Sequence, residues 1–167
     1  KNLNKKAILV ILCQVPPGFC RKINWPKRQL YYQVETLIFG KALERASFPE
    51  RFIIGSENNN KISKVYKNYL KTFKCPILNM SYESAELAKI SINIYLISTV
   101  TTSNILSEIC EKVNANWKDI IPSLQLDKRI GKYAYLKPGL GISGGNLERD
   151  LTTLSELQKK NRLYVQF

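Results

Sequence analysis

From Ala85 to Val113 the chain contains neither glycine nor proline. That single absence limits the fold more than any other feature. Glycine and proline are the residues that most readily end a helix. A run of about 30 residues without them reads as one helix roughly 45 Å long, at 1.5 Å per residue. Its apolar residues, among them Leu87, Ala88, Ile90, Ile94, Tyr95, Ile97, Ile105 and Ile109, recur on more than one face. One small core cannot cover such a helix on all sides, so another domain or another subunit is expected against the surplus face. Ser84 is a candidate cap, with Glu83 and Glu86 near the positive end of the dipole.

The stretch before this helix has a different character. Ala7–Cys13 is a continuous apolar run, as expected of a strand buried on both faces of a parallel sheet, and Pro16-Pro17-Gly18 ends it in a turn. Tyr31–Phe39, running into a turn at Gly40, and Phe52–Ile54, closed by Gly55, read as further strands. Cys75–Leu78 reads as one more. Asn58 to Asn60 form a loop and helix start, and Ile62, Val65, Tyr66, Tyr69 and Leu70 follow at helical spacing. After the long helix come shorter helical stretches around Trp117–Leu124 and Leu147–Lys159, while Leu163–Phe167 is strand-like but too short to place. The expected architecture is α/β followed by all-α, with the boundary near Met80: residues 1–80, then 81–167.

Charge and composition narrow the function. Twenty-six basic residues against 13 acidic give a net charge of +13, so polyanions and phosphate-bearing small molecules are candidate partners beside an ordinary solvated lysine surface. No base-stacking or groove-reading motif accompanies the charge, and a nucleic-acid partner is discounted. Tyr31-Tyr32 and Trp25-Pro26 read as packing. The absence of histidine removes His-based triads and most zinc sites, and no metal is expected. Cys13, Cys20, Cys75 and Cys110 show no C-x-x-C spacing, and free thiols in a reducing cytoplasm are the expectation. Basic Lys1–Lys6 before apolar Ala7–Cys13 is superficially like a signal peptide, but the run is short and no small-x-small cleavage site follows. No apolar stretch is long enough to span a membrane. The chain does not start with Met, as an excerpt of a longer protein would not.

"PGLGISGGNLERD" (Pro138–Asp150) contains a formal G-x-G-x-x-G between Gly139 and Gly144. A dinucleotide cradle follows a buried strand and has an acidic residue about 20 positions on. Pro138 interrupts any central strand leading in, and no acidic strand end follows. The better reading is a loop whose glycines let backbone approach a ligand closely, leading into a helix begun near Asn146, which itself could serve as the cap.

"AELAKISINIYL" (Ala85–Leu96), "DKRIGKYAYLKPGLGISGGNLERDL" (Asp127–Leu151), "VPPGF" (Val15–Phe19) and "FGKALERASFPERFIIG" (Phe39–Gly55) together make the chain resemble the UDP-glucose/GDP-mannose dehydrogenase family, with fitting order and spacing. The resemblance covers nearly the whole chain. It implies the trailing part of a Rossmann-type NAD domain, joined by the long helix to a helical central domain like that of 6-phosphogluconate dehydrogenase. The first βαβ unit would precede Lys1 and a nucleotide-binding domain would follow Phe167.

The family oxidises a sugar CH2OH twice, with NAD, to a carboxylate, through a thiohemiacetal on a loop cysteine. By resemblance the oxyanion-stabilising lysine and asparagine fall on Lys89 and Asn93, and the aspartate that handles protons and water falls on Asp150. Glu35, Gly141, Gly144 and Arg149 are implied to contact substrate, and Gln14 and Pro16 the cofactor. Helical spacing agrees, since residues i and i+4 share a face and two donors there can meet one developing oxyanion. Taken alone, Lys89/Asn93 would read as an exposed polar pair, and Asp150 as a carboxylate favoured by the helix dipole.

Several positions depart from the family pattern. Asn146 stands where the nucleophilic cysteine belongs, Gln14 where a threonine does, and Phe39 where a catalytic glutamate does; Arg149 replaces a lysine. None of the four cysteines aligns with the lost one, and Cys13, at a strand end, is the one substitute worth testing. A carboxamide is not a nucleophile at neutral pH. The resemblance therefore implies a nucleotide-sugar 6-dehydrogenase relative with an impaired site, forming a homodimer through the 85–113 helix. The alternatives are single-step hydride transfer relying on Lys89 and Asn93, and a non-catalytic nucleotide-sugar-binding or assembly protein. Arg129 is left between pairing with Asp127 and reaching a ligand phosphate or a second subunit.

Overall fold

The structure is a computed structural model that describes residues 3–4, 6–35, 40–57, 62–139 and 145–160, residues 145–147 by backbone alone. The chain divides into two compact units, Lys1–Ile90 and Ser91–Phe167.

The first unit is built on a four-stranded sheet: β1 (Leu9–Ile11), β2 (Leu30–Gln33), β3 (Phe52–Ser56) and β4 (Ile77–Ser81), in that spatial order. β1 pairs with β2 in parallel and β3 with β4 in parallel, but β2 and β3 are antiparallel, with Tyr32 opposite Gly55. The sheet is thus mixed. β1 is half-buried along its length rather than sealed on both faces, while all of β3 is buried. The apolar run of Ala7–Cys13 made β1 look like an interior strand; being at the end of the strand order leaves it less covered. β2 ends at Gln33, and residues 36–39 of the expected longer strand lie outside the described residues, as do 58–61 and 161–167.

One face of the sheet packs on α3 (Lys64–Lys71). Tyr31, Phe52, Ile54, Tyr66 and Leu70 form the core there, with Phe73 and Ile77 against it. The Tyr31 and Tyr66 rings lie 5.0 Å apart, and Phe52 meets Phe73 edge-on at 5.2 Å. Each such buried side chain contributes about 1.5–3 kcal/mol relative to exposure. The Tyr31 hydroxyl donates to the Arg28 carbonyl and accepts from the Ser63 amide, so its burial leaves no polar atom wasted. The other short elements of this unit are α1 (Phe19–Lys22) and α2 (Ala42–Ser47).

The long helix, α4 (Tyr82–Lys112), starts where β4 stops, with no intervening loop. Ser81 is its cap: the Ser81 hydroxyl accepts the Ser84 amide at 3.1 Å. Ser84 therefore sits inside the first turn instead of capping it. Gly55 lies under that first turn, since a Cβ there would come within 2.9 Å of the Ala85 Cβ and 3.1 Å of the Tyr82 Cα.

The second unit holds the rest of α4, α5 (Trp117–Leu126) and α6 (Gly145–Lys160). Cys110, Trp117 and Leu136 form its core. Ile97 and Ser103 of α4 are buried, whereas Tyr95, Ile105, Ile109 and Val113 remain exposed. The surplus apolar face expected from the sequence is present.

Candidate functional site

In the second unit, α4 and α6 bring Asn93 and Asp150 together. The Asn93 amide nitrogen donates to one carboxylate oxygen of Asp150. Asp150 is fully buried and Asn93 nearly so. The other oxygen, Oδ1, is buried and has no hydrogen-bond partner among the described residues. Buried polar atoms almost always find partners, and a carboxylate oxygen without one is costly. Such an atom, beside an amide already held in one orientation, can accept a hydrogen bond or a proton from a hydroxyl or water brought to it. The carboxylate is thus engaged in a specific side-chain pair, beyond a favourable position in the dipole. Lys89 precedes Asn93 by one turn of α4 and is half-buried.

The approach to the glycine stretch is pinned to its own unit. The Ser103 hydroxyl donates to the Tyr135 carbonyl at 2.9 Å, the Trp117 indole to the Leu136 carbonyl at 2.8 Å, and the Gly139 amide to the Asn104 side chain at 2.9 Å. Three anchors hold residues 135–139 within this unit. Gly141 and Gly144 lie outside the described residues. α6 begins at Gly145, so Asn146 belongs to its first turn and not to the capping position before it; the Asn146 side chain lies outside the described residues. Arg149 is exposed. Arg129 pairs with Asp127 through Nε at 3.0 Å and Nη2 at 2.6 Å, the local reading of that arginine. The guanidinium holds the Asp127 carboxyl below the usual range.

In the first unit, Gln14 and Pro16 sit in the turn that leaves the C-terminal end of β1, Gln14 half-buried and Pro16 exposed. Glu35 lines a cleft of about 190 Å³ together with Gln33, Arg45 and Arg51. Glu50 bridges both arginines at 3.0 and 3.1 Å, and Arg45 first, then Arg51, draw its carboxyl below the usual range. All four cysteines are free; Cys13 is exposed and Cys20 buried.

The sequence reading gave Glu86 only a place at the positive end of the helix dipole, whereas it is fully buried on α4. Its two oxygens accept the amides of Gly18 at 2.5 Å and Cys20 at 2.8 Å. Burial foremost, then the hydrogen bond and charge of Glu86, push the Cys20 thiol well above the ordinary thiol range. Glu83 turns to Arg21 at 2.7 Å, and the Tyr82 hydroxyl donates to the Lys27 and Leu30 carbonyls. The available signal was a carboxylate set among Ala85, Leu87 and Ala88, which burial obliges to find donors.

A mixed four-stranded sheet unit is followed along the chain by a helical unit that carries a buried amide–carboxylate pair. Residues 83–167 match the central domain of the UDP-glucose/GDP-mannose dehydrogenase family. The chain belongs to that family. It is 29% identical to a UDP-glucose 6-dehydrogenase of Rickettsia prowazekii, over 98% of this chain and 39% of that protein. It is 31% identical to the UDP-glucose 6-dehydrogenase of Rickettsia bellii, over 96% of this chain and 38% of the relative. The chain thus spans about two fifths of the length of these relatives. Its fold matches a UDP-glucose dehydrogenase of Pyrobaculum islandicum with a TM-score of 0.77 at 24% identity, covering 92% of this chain and 37% of that one. No helix among the described residues is long and apolar enough to cross a membrane.

Proposed function

We propose that this chain is the portion of a nucleotide-sugar 6-dehydrogenase relative that presents Lys89, Asn93 and Asp150 to the sugar, and that the intact protein oxidises a UDP- or GDP-sugar CH2OH toward the uronate with an impaired second step. The observation that carries the reading is the Asn93–Asp150 pair with its unspent, buried Oδ1. Asp150 holds Asn93 in one orientation and offers Oδ1 to the proton of a substrate hydroxyl or a water. The Lys89 ammonium and the Asn93 amide stabilise negative charge on the reacting oxygen. Arg149 supplies positive charge for a phosphate. The family resemblance assigns Glu35, Gly141 and Gly144 to the substrate as well.

Gln14 and Pro16 would hold NAD. The turn suits it: it leaves a strand end, and the Cβ position of Gly18 faces open space, so backbone is approachable. When bound, the cofactor supplies the hydride acceptor. Asn146 cannot supply the thiolate on which the family's second oxidation runs.

The same observation favours a second reading. With the Asn93–Asp150 pair intact and no thiol at position 146, a single oxidation that relies on Lys89 and Asn93 would be complete at the carbonyl, the hydroxyl proton passing to Asp150 and the hydride to the NAD that the protein would bind. The exposed Tyr95, Ile105 and Ile109 on α4 support a homodimer through this helix. Four free cysteines suit a reducing cytoplasm.

The full-length protein is incubated with UDP-glucose, and separately GDP-mannose, plus NAD, and both NADH and sugar products are quantified. An aldehyde with one NADH per sugar supports the second reading; slow uronate supports the first. Binding by calorimetry without any NADH marks a non-catalytic protein. Uronate at ordinary family rates with Asn146 intact overturns the impaired site.

A further inference from the structure

We propose that Glu86, working with Lys27, is the positioning residue that sets the shape of the cofactor-side turn Gln14–Cys20, and hence the affinity for NAD. The inference rests on the assignment of Gln14 and Pro16 to the cofactor. α1 is one turn of four residues, too short to hold itself. Its free amides and carbonyls must be met from outside. At its N-terminal end both Glu86 oxygens are taken by the Gly18 and Cys20 amides. At its C-terminal end the Lys27 ammonium donates to the carbonyls of Cys20 at 3.1 Å, Arg21 at 2.9 Å and Ile23 at 2.7 Å. Negative charge stands at the positive pole and positive charge at the negative pole, as the helix dipole favours.

The purpose of this arrangement lies in Gly18. It adopts φ 87°, the left-handed region, which turns the chain from Pro16-Pro17 into α1. Glu86 grips the Gly18 amide itself. A Cβ at Gly18 would meet nothing within 4 Å, so that side of the glycine is open to a ligand. Glu86 also sits three residues before Lys89 on α4, within one helical turn. One buried carboxylate therefore fixes the turn that would hold the cofactor and belongs to the same turn of helix as the group that would face the substrate oxygen. Glu86 contacts neither ligand and acts only through the backbone it holds.

The test uses the full-length protein carrying Glu86→Gln, which keeps shape but retains a single acceptor oxygen for two donors. Three readouts are taken: NAD affinity by calorimetry, nucleotide-sugar affinity by the same method, and the rate at which a thiol reagent labels Cys20 without NAD, with exposed Cys13 as internal standard. Loss of one charge-assisted hydrogen bond predicts NAD binding weakened about tenfold or more. Nucleotide-sugar affinity should be unchanged within about twofold, and Cys20 labelling should become faster. Lys27→Met, at the other end of α1, should move NAD affinity and Cys20 labelling in the same direction by a smaller factor, and it serves if Glu86→Gln does not fold. Unchanged NAD affinity and unchanged labelling in a folded variant overturn the proposal, as does equal loss of both affinities. If wild type binds no NAD at all, the cofactor assignment fails, while faster Cys20 labelling in Lys27→Met, whose lost positive charge alone would slow it, still reports that the turn is held from outside.

Discussion

Replacing Gly55 by alanine should loosen the joint between the sheet and α4. The added Cβ would stand 2.9 Å from the Ala85 Cβ, 3.1 Å from the Tyr82 Cα and 3.2 Å from the Tyr32 Cβ, all inside ordinary van der Waals contact. None of these atoms can rotate away, because each is fixed by backbone. Gly55 is not among the glycines with positive φ, so alanine suffers no dihedral penalty there. The relief must come from moving α4 off β3. Overpacking of this kind costs about 1–3 kcal/mol, and the stiffer unfolded chain returns about 0.4–1 kcal/mol. A net loss of about 1–2 kcal/mol corresponds to a melting point roughly 2–8 °C lower for a domain of this size. The assay is thermal unfolding followed by far-ultraviolet circular dichroism, with urea unfolding as a check. The displaced turn carries Tyr82 and Ala85, which flank Glu86, so amide exchange at Gly18 should accelerate as well. A Gly55→Ala protein that melts within a degree of wild type would refute the close packing on which the placement of Glu86 and Lys89 depends.

Asn146→Cys should restore uronate formation, with the product shifted from aldehyde to acid and NADH rising from one toward two per sugar; product chromatography decides it. Asp150→Ala leaves the buried Asn93 amide without its acceptor and should cost about 1–3 kcal/mol in urea unfolding while lowering turnover about 100-fold or more. Glu83→Gln tests a surface pair. The Arg21 guanidinium, through its hydrogen bond, holds the Glu83 carboxyl below its ordinary value of 4.5. Its contribution to stability is therefore present above that value and lost as pH falls through the lowered one. Side chains 41% and 43% exposed are screened by water, so the variant should lose under about 0.5 kcal/mol at neutral pH. Its stability should also fall less steeply than that of wild type below about pH 4.5.

Much of the architecture could be read from pattern. Freedom from glycine and proline announced α4, and continuous apolar runs announced β1 and β3. The pattern misjudged places where a tertiary partner decides. Leu9–Ile11 looks interior, but strand order leaves β1 less covered. Pairing direction leaves no mark on so short a strand, so the antiparallel β2–β3 contact was hidden. Ser84 resembled a cap because the sequence does not say that Ser81, the last residue of a strand, already serves. α1 carries no sequence signal of its own, since its stability comes from Glu86 and Lys27, distant in the chain or beyond its end. In the candidate site, Asn93 and Asp150 were singled out only through the resemblance to the family. Their hydrogen bond needed the fold that brings residues 57 positions apart together.

The direct passage from Ser81 into Tyr82 has a mechanical consequence. A connection with no slack cannot act as a hinge, because bending it breaks a ladder bond or the serine cap. The rotational phase of the helix is then dictated by the pleat of the last strand. A one-residue slip of Ile77–Ser81 against its neighbour would swing Lys89 about 100° around the axis, and the direction in which that side chain points is therefore written partly in strand registration.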